Sequence, residues 1–203
     1  MKYYLIIISF FFLSNCQSPK KESLHDALRV KDINDIVATI IKDDNLKVLK
    51  TESKTVMLLD SLKKTKIYVA TKKDRELGIP PPPDFVSITR IVKIKINNQD
   101  FFSSKDSIYM LSQYPDIKKF KISDEILSKV NSTSFKKKRA KRKNSDEYDF
   151  YEIGIPLFSK DNNRAYVELS HYCGSLCGHG EAIFLEKIKG KWIIVDKIET
   201  WIS

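Results

Sequence analysis

The sequence is poor in the residues on which catalytic and metal sites are commonly built. Its 203 residues include only three cysteines, three histidines and six glycines. It contains no glycine-rich phosphate-binding loop, no HExxH pair and no G-x-S-x-G nucleophile elbow. We also find no pair of carboxylates whose spacing points to acid–base catalysis. These absences exclude the enzyme classes that a motif identifies most readily, so no catalytic residue is predicted.

Long apolar runs are also missing, except for one at the amino terminus. Lys2 is followed by an eleven-residue run, Tyr3 to Leu13, that is rich in aliphatic and aromatic side chains. This run is too short to cross a bilayer core of about 30 Å, which needs roughly 20 helical residues. A positive residue followed by a short apolar segment is typical of a secretory signal peptide. We therefore predict that residues 1–15 are a signal peptide.

The run ends in Leu13-Ser14-Asn15-Cys16, which resembles the lipobox of bacterial lipoproteins, although Asn15 is unusual before the cysteine. The resemblance covers residues 1–16 and implies that Cys16 is lipidated, as the first residue of a tether over 16–23. Several acyl chains, such as palmitate, anchor a protein stably because each buried methylene contributes about 0.8 kcal/mol. The alternative is a plain signal peptide with an incidental cysteine.

The resemblance also implies a location. Gln17 stands where an Asp is associated with retention in the inner membrane. We therefore predict a lipid-anchored cell-envelope protein of the outer membrane, with its periplasmic or surface orientation left open. In a host with a single membrane, the protein would lie on the cell surface.

Most of the net charge of +10 lies in one segment. Residues 136–143, KKKRAKRK, carry seven positive charges, which leaves a nearly neutral domain. Nucleic acid is not the predicted partner, because the exported location argues against it and no aromatic residues interleave with the lysines. Clustered like charges favour a disordered loop near 136–147. The alternative is contact with an anionic surface, lipid or lipopolysaccharide, through Lys136, Lys137, Lys138, Arg139, Lys141, Arg142 and Lys143.

The residues after the tether are enough for one domain with a buried core, so we predict a single domain over 24–203. Apolar periodicity predicts a helix over 33–43, with Asp32 as its N-cap, and a Ser103–Asp106 capping box predicts another over 104–113. A short helix is predicted near 124–130. Alternation and turn residues predict strands at 55–60, 66–70, 86–96, 148–158, 164–172, 181–188 and 191–202.

The last four of these strands have short connections and predict an antiparallel meander, so the predicted class is α+β. The order of a helix before a curved sheet resembles the cystatin-like and nuclear-transport-factor-2-like folds. The stretch from GIPLFSKD through CGSLCGHG to WIS is similar to small envelope proteins with no assigned activity. That similarity implies no activity for this chain.

The segment from His171 to Gly180, HYCGSLCGHG, is the most unusual in the sequence. If 164–172 and 181–188 form a hairpin whose tip is centred on residue 175, one register pairs Cys173 with Cys177 and His171 with His179. The same register pairs Val167 with Ile183, Ala165 with Leu185 and Leu169 with Glu181. Strand periodicity places these pairs on one face. Its lower part is apolar, and its upper end carries the cysteines and histidines.

Three interpretations of this segment are open. An exported compartment favours a Cys173–Cys177 disulfide, because Cys16 is committed to lipid. The alternative is a metal site, in which His171, Cys173, Cys177 and His179 bind zinc or copper. The third is a thiol- or histidine-dependent enzyme. It would need a carboxylate such as Glu181, since Glu168 points to the opposite face.

These interpretations define the predicted function. We expect a non-enzymatic binding or interaction module on the envelope, with no cofactor; zinc or copper is the alternative. The three glycines at 174, 178 and 180 predict turn conformations, or a bare surface that another backbone can approach. Trp192 and Trp201 are expected in the core.

Overall fold

The computed structural model of the protein describes residues 24–52, 55–114, 117–137, 149–174 and 177–203. The predicted signal peptide and most of the basic run lie outside these residues. The helices are α1 (Leu24–Asp43), α2 (Lys72–Leu77), α3 (Ile88–Val92), α4 (Ser104–Ser112) and α5 (Asp124–Lys129). The first eight strands are β1 (Met57–Leu59), β2 (Ser61–Lys63), β3 (Ile67–Tyr68), β4 (Val86–Ser87), β5 (Lys95–Ile96), β6 (Gln99–Asp100), β7 (Lys119–Lys121) and β8 (Ser132–Thr133).

The carboxyl-terminal strands are β9 (Phe150–Ile153), β10 (Leu157–Phe158), β11 (Arg164–Tyr172), β12 (Gly178–Ile188) and β13 (Lys191–Ile202). The antiparallel meander β9–β11–β12–β13 confirms the predicted α+β class. The predicted register of β11 against β12 is also confirmed, with Ala165 opposite Leu185 and His171 opposite His179. The prediction of one strand over 148–158 is wrong, because β9 and β10 are separate strands that pair with different parts of β11.

The sheet is mixed, whereas the sequence predicted an antiparallel one. Strand β1 lies between β9 and β8 and runs parallel to both. Parallel neighbours need long connections, and here the connection from β1 to β8 contains most of the small elements of the fold. That excursion returns residues 63–90 to the sheet, where they face β9 and β11.

Helix α1 covers one face of the sheet. Its predicted stripe is confirmed, because Ile33, Ile36, Val37, Ile40 and Ile41 are all buried. They pack with the odd-numbered residues of the hairpin, such as Val167 and Ile183, and with Trp192. Burial of large aliphatic side chains at this interface is the main stabilising contribution, at roughly 1.5–3 kcal/mol each.

The prediction that Asp32 is a helix N-cap is wrong. The helix begins at Leu24, so Asp32 lies near its middle and is buried. Its carboxylate accepts hydrogen bonds from Lys187 Nζ at 2.6 Å, from Asn162 Nδ2 at 2.7 Å and from Trp192 Nε1 at 3.1 Å. Burial alone would raise the pKa of Asp32, but these hydrogen bonds outweigh it and lower the pKa.

The predicted long strand over 86–96 is also wrong. Only Val86–Ser87 and Lys95–Ile96 are strands, and α3 lies between them. Ile88 and Ile91 are both buried at helical spacing, whereas in a strand Ile91 would lie on the polar face, opposite Ile88. Asn97 and Asn98 form the turn between β5 and β6, and both adopt positive φ.

The Ser103–Asp106 capping box at the start of α4 is confirmed. Ser103 N and Ser103 Oγ both donate to Asp106 Oδ2, at 2.7 and 2.8 Å. The other Asp106 oxygen accepts from Lys160 N at 2.8 Å, so the cap also joins α4 to the turn after β10. Together with α3, this helix packs on the second face of the sheet. A second core lies there, around Met110, Tyr166 and Phe184.

Candidate functional site

The Cys173–Cys177 pair lies at the tip of the β11–β12 hairpin and forms a disulfide, with Cα atoms 5.1 Å apart. Cys173 N donates a hydrogen bond to Cys177 O at 3.1 Å, which closes the turn. A disulfide that closes so short a loop stabilises the folded state by about 2 kcal/mol in the chain-entropy model. Its main effect is to fix the hairpin tip. Both sulfur atoms are used in this bond, so neither is a thiolate.

His171 and His179 lie opposite each other below the disulfide, with ring centroids 5.3 Å apart. His171 Nε2 is 2.7 Å from Asp149 Oδ1, and its ring stacks on Tyr151 at 4.2 Å. Among the described residues, no three histidine, cysteine, aspartate or glutamate side chains are grouped as ligands of one metal ion. Zinc or copper binding by His171, Cys173, Cys177 and His179 stays a prediction for the reduced protein.

The two carboxylates considered for an enzyme site lie on different faces. Glu181 lies opposite Leu169, as expected, and its nearest charged partner is Lys197 at 3.9 Å. Lys197 also pairs with Asp44. Glu168 lies on the opposite face from the histidines, also as expected. That opposite face carries an open cleft, which the sequence did not reveal.

The cleft lies beside the hairpin tip, between the sheet and the chain segments over 63–66 and 81–90, and has a volume of about 990 Å³. Cleft volumes of roughly 300–1,000 Å³ are usual for small-molecule sites. The sheet supplies Phe150, Glu152, Glu168, Ser170, Tyr172 and Trp201, and the facing segments supply Lys63, Lys66, Pro81, Pro82, Pro83, Asp84, Phe85 and Arg90.

Aromatic side chains form the end of the cleft that lies next to the disulfide. Phe150 stacks on Tyr172, with ring centroids 5.0 Å apart, and Tyr172 lies 5.7 Å from Trp201 at an interplanar angle of 41°. We call Phe150, Tyr172 and Trp201 the aromatic row. It runs from β9 across β11 to β13. Phe150 is buried, whereas Tyr172 and Trp201 are partly exposed toward the cleft.

Two glycines of β12 make room for the aromatic row. A Cβ at Gly180 would lie 1.9 Å from Trp201 Nε1, and one at Gly178 would lie 3.2 Å from the same ring. The indole therefore lies directly on the bare backbone of β12. Of the three tip glycines, only Gly174 has a positive φ, so the predicted turn conformation is wrong for the other two. The predicted bare surface at Gly178 and Gly180 is covered by the Trp201 side chain.

Polar groups form the next level of the cleft. Glu152 lies opposite Ser170, two residue pairs along from Phe150 and Tyr172 and on the same face of the sheet. Lys63 Nζ reaches Glu152 Oε1 at 3.2 Å from the facing segment. Gly154 permits this approach, because a Cβ there would lie 3.0 Å from the Thr65 hydroxyl. The cleft therefore has an ion pair and the Ser170 hydroxyl group beside an aromatic surface.

Glu168 lies one level deeper, next to Gly154 and beside Thr65. Burial raises the pKa of Glu168, and the nearby Glu152 carboxylate adds to that effect. The Tyr166 hydroxyl, Lys63 and the Thr65 hydroxyl act in the opposite direction but do not compensate. A carboxyl group with a raised pKa in a cleft is a common feature of functional sites.

Glu168→Gln is expected to raise the free energy of unfolding at pH 7.5. The pKa of Glu168 is higher in the folded than in the unfolded chain, where it is about 4.3. Its contribution to stability is therefore fully present below about pH 4 and is lost as pH rises through the folded pKa. Urea unfolding at pH 7.5 and pH 4 checks this, with the exposed Glu199→Gln as control. An equal effect of Glu168→Gln at both pH values would contradict the expectation.

The cleft was missed in the sequence because its walls are far apart along the chain. The strand residues Tyr166, Glu168, Ser170 and Tyr172 alternate with apolar ones, which is a detectable pattern of functional side chains on one face. Nothing in the pattern, however, shows whether that face is solvent, core or cleft. The expectation that Trp201 is a core residue is wrong, while Trp192 is buried as expected.

The basic run contributes little to the described surface. Lys136 and Lys137 are exposed, whereas Lys138, Arg139, Lys141, Arg142 and Lys143 lie outside the described residues, as does Cys16. No helix in the described part of the chain is long and apolar enough to span a membrane.

Comparisons of the chain with protein-family models, with curated proteins and with solved structures gave no match. The resemblance to cystatin-like and nuclear-transport-factor-2-like folds therefore stays an expectation from the order of elements. Any function has to be inferred from the residues of this chain.

Proposed function

We propose that the chain is a lipid-anchored cell-envelope protein of the outer membrane, and that its cleft binds a small polar ligand without chemical conversion. The observation that carries the binding function is the cleft itself. It is open, it has the volume of a small-molecule site, and it combines an aromatic surface with fixed polar groups. Contact of the basic run with anionic lipid or lipopolysaccharide is a further part of the proposal.

The anchor rests on the sequence pattern of residues 1–16. The disulfide gives independent support, because such bonds persist in oxidising compartments outside the cytosol. We propose no chemical conversion of the ligand, because both cysteines near the His171–Asp149 pair are in the disulfide and supply no thiolate nucleophile.

Cys16→Ser is expected to abolish lipidation and membrane association. Without the thiol no thioether to diacylglycerol can form. The apolar run of the signal peptide cannot replace the lipid, because it is too short to span a bilayer. Metabolic labelling with an alkyne fatty acid and detergent phase partition check this, with wild type labelled and in the detergent phase. The control is the double variant Cys173→Ser/Cys177→Ser, which keeps its label. Labelled Cys16→Ser protein, or unlabelled wild type, would refute the anchor.

The binding function is tested with a small-fragment library and ¹⁵N-labelled full chain. The protein has two tryptophans, Trp201 in the cleft and Trp192 in the core on the other face. Fragments that occupy the cleft shift the indole N–H resonance of Trp201 and leave that of Trp192 unchanged. If no fragment, charged, neutral or apolar, shifts Trp201, the proposed binding function is wrong.

A further inference from the structure

The proposed function leaves the chemical class of the ligand open, and the aromatic row narrows it. Tyr172 and Trp201 line the cleft side by side and are partly exposed, with ring centroids 5.7 Å apart and ring planes tilted by 41°. Ring faces are electron-rich and attract the partially positive C–H groups of a flat-sided ligand. The faces of pyranose sugars carry such C–H groups, while their edges carry hydroxyl groups.

The rings are fixed before any ligand arrives. Phe150 stacks behind Tyr172, and the backbone of Gly178 and Gly180 lies beneath Trp201. The β12–β13 pairing continues as far as His179 and Ile202, so the strand that carries Trp201 is held along its length. A rigid aromatic surface loses little conformational entropy on binding, which favours weakly interacting ligands such as sugars.

The polar level next to the aromatic row suits hydroxyl groups. Glu152 accepts hydrogen bonds, Lys63 donates them, and the Ser170 hydroxyl does both. A sugar hydroxyl both donates and accepts, so it can bridge an acceptor and a donor that lie 3.2 Å apart, as Glu152 and Lys63 do. Aromatic rings alone would fit any apolar ligand, and it is this mixed edge that points to a polyhydroxylated one.

The charged side chains that line the cleft are balanced in number, with four basic residues, Lys63, Lys64, Lys66 and Arg90, and four acidic residues, Asp84, Glu152, Glu168 and Glu181. Lys63 pairs with Glu152 at 3.2 Å, and Lys66 lies 3.9 Å from Asp84. An anionic group placed on the aromatic row would approach the Glu152 carboxylate, and a cationic group would approach Lys63. A ligand without net charge meets neither cost.

We infer that the cleft binds pyranose rings of an uncharged glycan, which stack on Tyr172 and Trp201 while their hydroxyl groups contact Glu152, Ser170 and Lys63. This inference rests on the proposed binding function and names its ligand class. Phe85 and the prolines of residues 81–83 form the facing wall, so a glycan chain would lie between that wall and the sheet.

The test uses the full chain, purified in a detergent without a sugar head group. The probes are cellotetraose, maltotetraose and chitotetraose, which have different linkages and substituents and no net charge. We expect at least one of them to quench tryptophan fluorescence saturably, with an affinity confirmed by calorimetry. Trp201→Ala is expected to weaken that affinity at least tenfold, and Trp201→Phe to restore part of it.

Ile202→Ala is the matched control, because Ile202 is the next residue, is 69% exposed and lies on the other face of β13. It is expected to leave the affinity unchanged. Saturable sugar binding that Trp201→Ala does not weaken overturns the inference. So does failure of all three sugars in a protein whose Trp201 resonance responds to other fragments, a result that leaves the proposed binding function intact. Failure of sugars and fragments together overturns both.

Discussion

Replacing Asp32 with alanine is expected to lower the free energy of unfolding by about 3–5 kcal/mol, the usual cost of breaking a buried ion pair. The carboxylate is buried between α1 and the sheet and accepts from Lys187, Asn162 and Trp192. Alanine would leave the Lys187 ammonium, which is 24% exposed, without its carboxylate partner. The same change would leave the buried indole N–H of Trp192 without an acceptor.

Urea unfolding at pH 7 measures this loss, and its pH dependence gives a second check. The pKa of Asp32 is lowered in the folded chain, so its contribution is present above about pH 4 and is lost as pH falls through the folded pKa. The difference between wild type and variant should therefore shrink on acidification. Asp35→Ala is the control on the same helix, because the Lys31–Asp35 pair is exposed and worth less than about 1 kcal/mol. Similar losses for the two variants would rule out the buried-cluster explanation.

Gly180→Val is expected to destabilise the protein by about 3 kcal/mol, at the upper end of the cost of overpacking. The position has no room for a side chain, because a Cβ there would lie 1.9 Å from Trp201 Nε1 and 2.4 Å from its Cδ1. The indole must leave its place on the β12 backbone. Thermal unfolding measures the loss, and a change of tryptophan fluorescence reports the displacement.

A double-mutant cycle separates this clash from a general intolerance of valine at the position. In the Trp201→Ala background the space is free, so Gly180→Val should then cost less than about 1 kcal/mol. The expected coupling energy of about 2 kcal/mol lies within the range for residues in direct contact. Equal costs in the two backgrounds would mean that Trp201 is not the reason for the glycine.

The parts of the fold that could be predicted are those set by local chemistry. The register of β11 against β12 follows from the period of two and from a short turn, which fix all cross-strand pairs at once. The start of α4 follows from the reciprocal hydrogen bonds of Ser103 and Asp106. The 86–96 segment was misjudged because Ile88 and Val92, four residues apart, fit both a strand face and a helical turn, while the buried Ile91 fits only the helix.

The cleft could not be predicted, for a related reason. In the sequence, nothing distinguishes Glu152 and Glu168 from other strand glutamates. Their electrostatic environment depends on Lys63 and Thr65, which follow the parallel strand β1 and lie beside the sheet. No local signal reports such an approach. The glycines are similar, because the space beside Gly154 is taken by the Thr65 hydroxyl and the space above Gly178 and Gly180 by the Trp201 ring.

The Asp32 cluster also bears on the order in which the tertiary contacts of the protein can form. Its three donors lie between 130 and 160 positions further along the chain than Asp32. The β11–β12 and β12–β13 hairpins need only short loops to close, whereas the Asp32 contacts to Lys187 and Trp192 join residues more than 150 positions apart. The amino-terminal part of the chain is synthesised first, but its Asp32 contacts can form only after the carboxyl-terminal residues have been synthesised. If the chain is exported, as proposed, its amino-terminal segment would cross the membrane before the carboxyl-terminal residues that bind Asp32 have followed it.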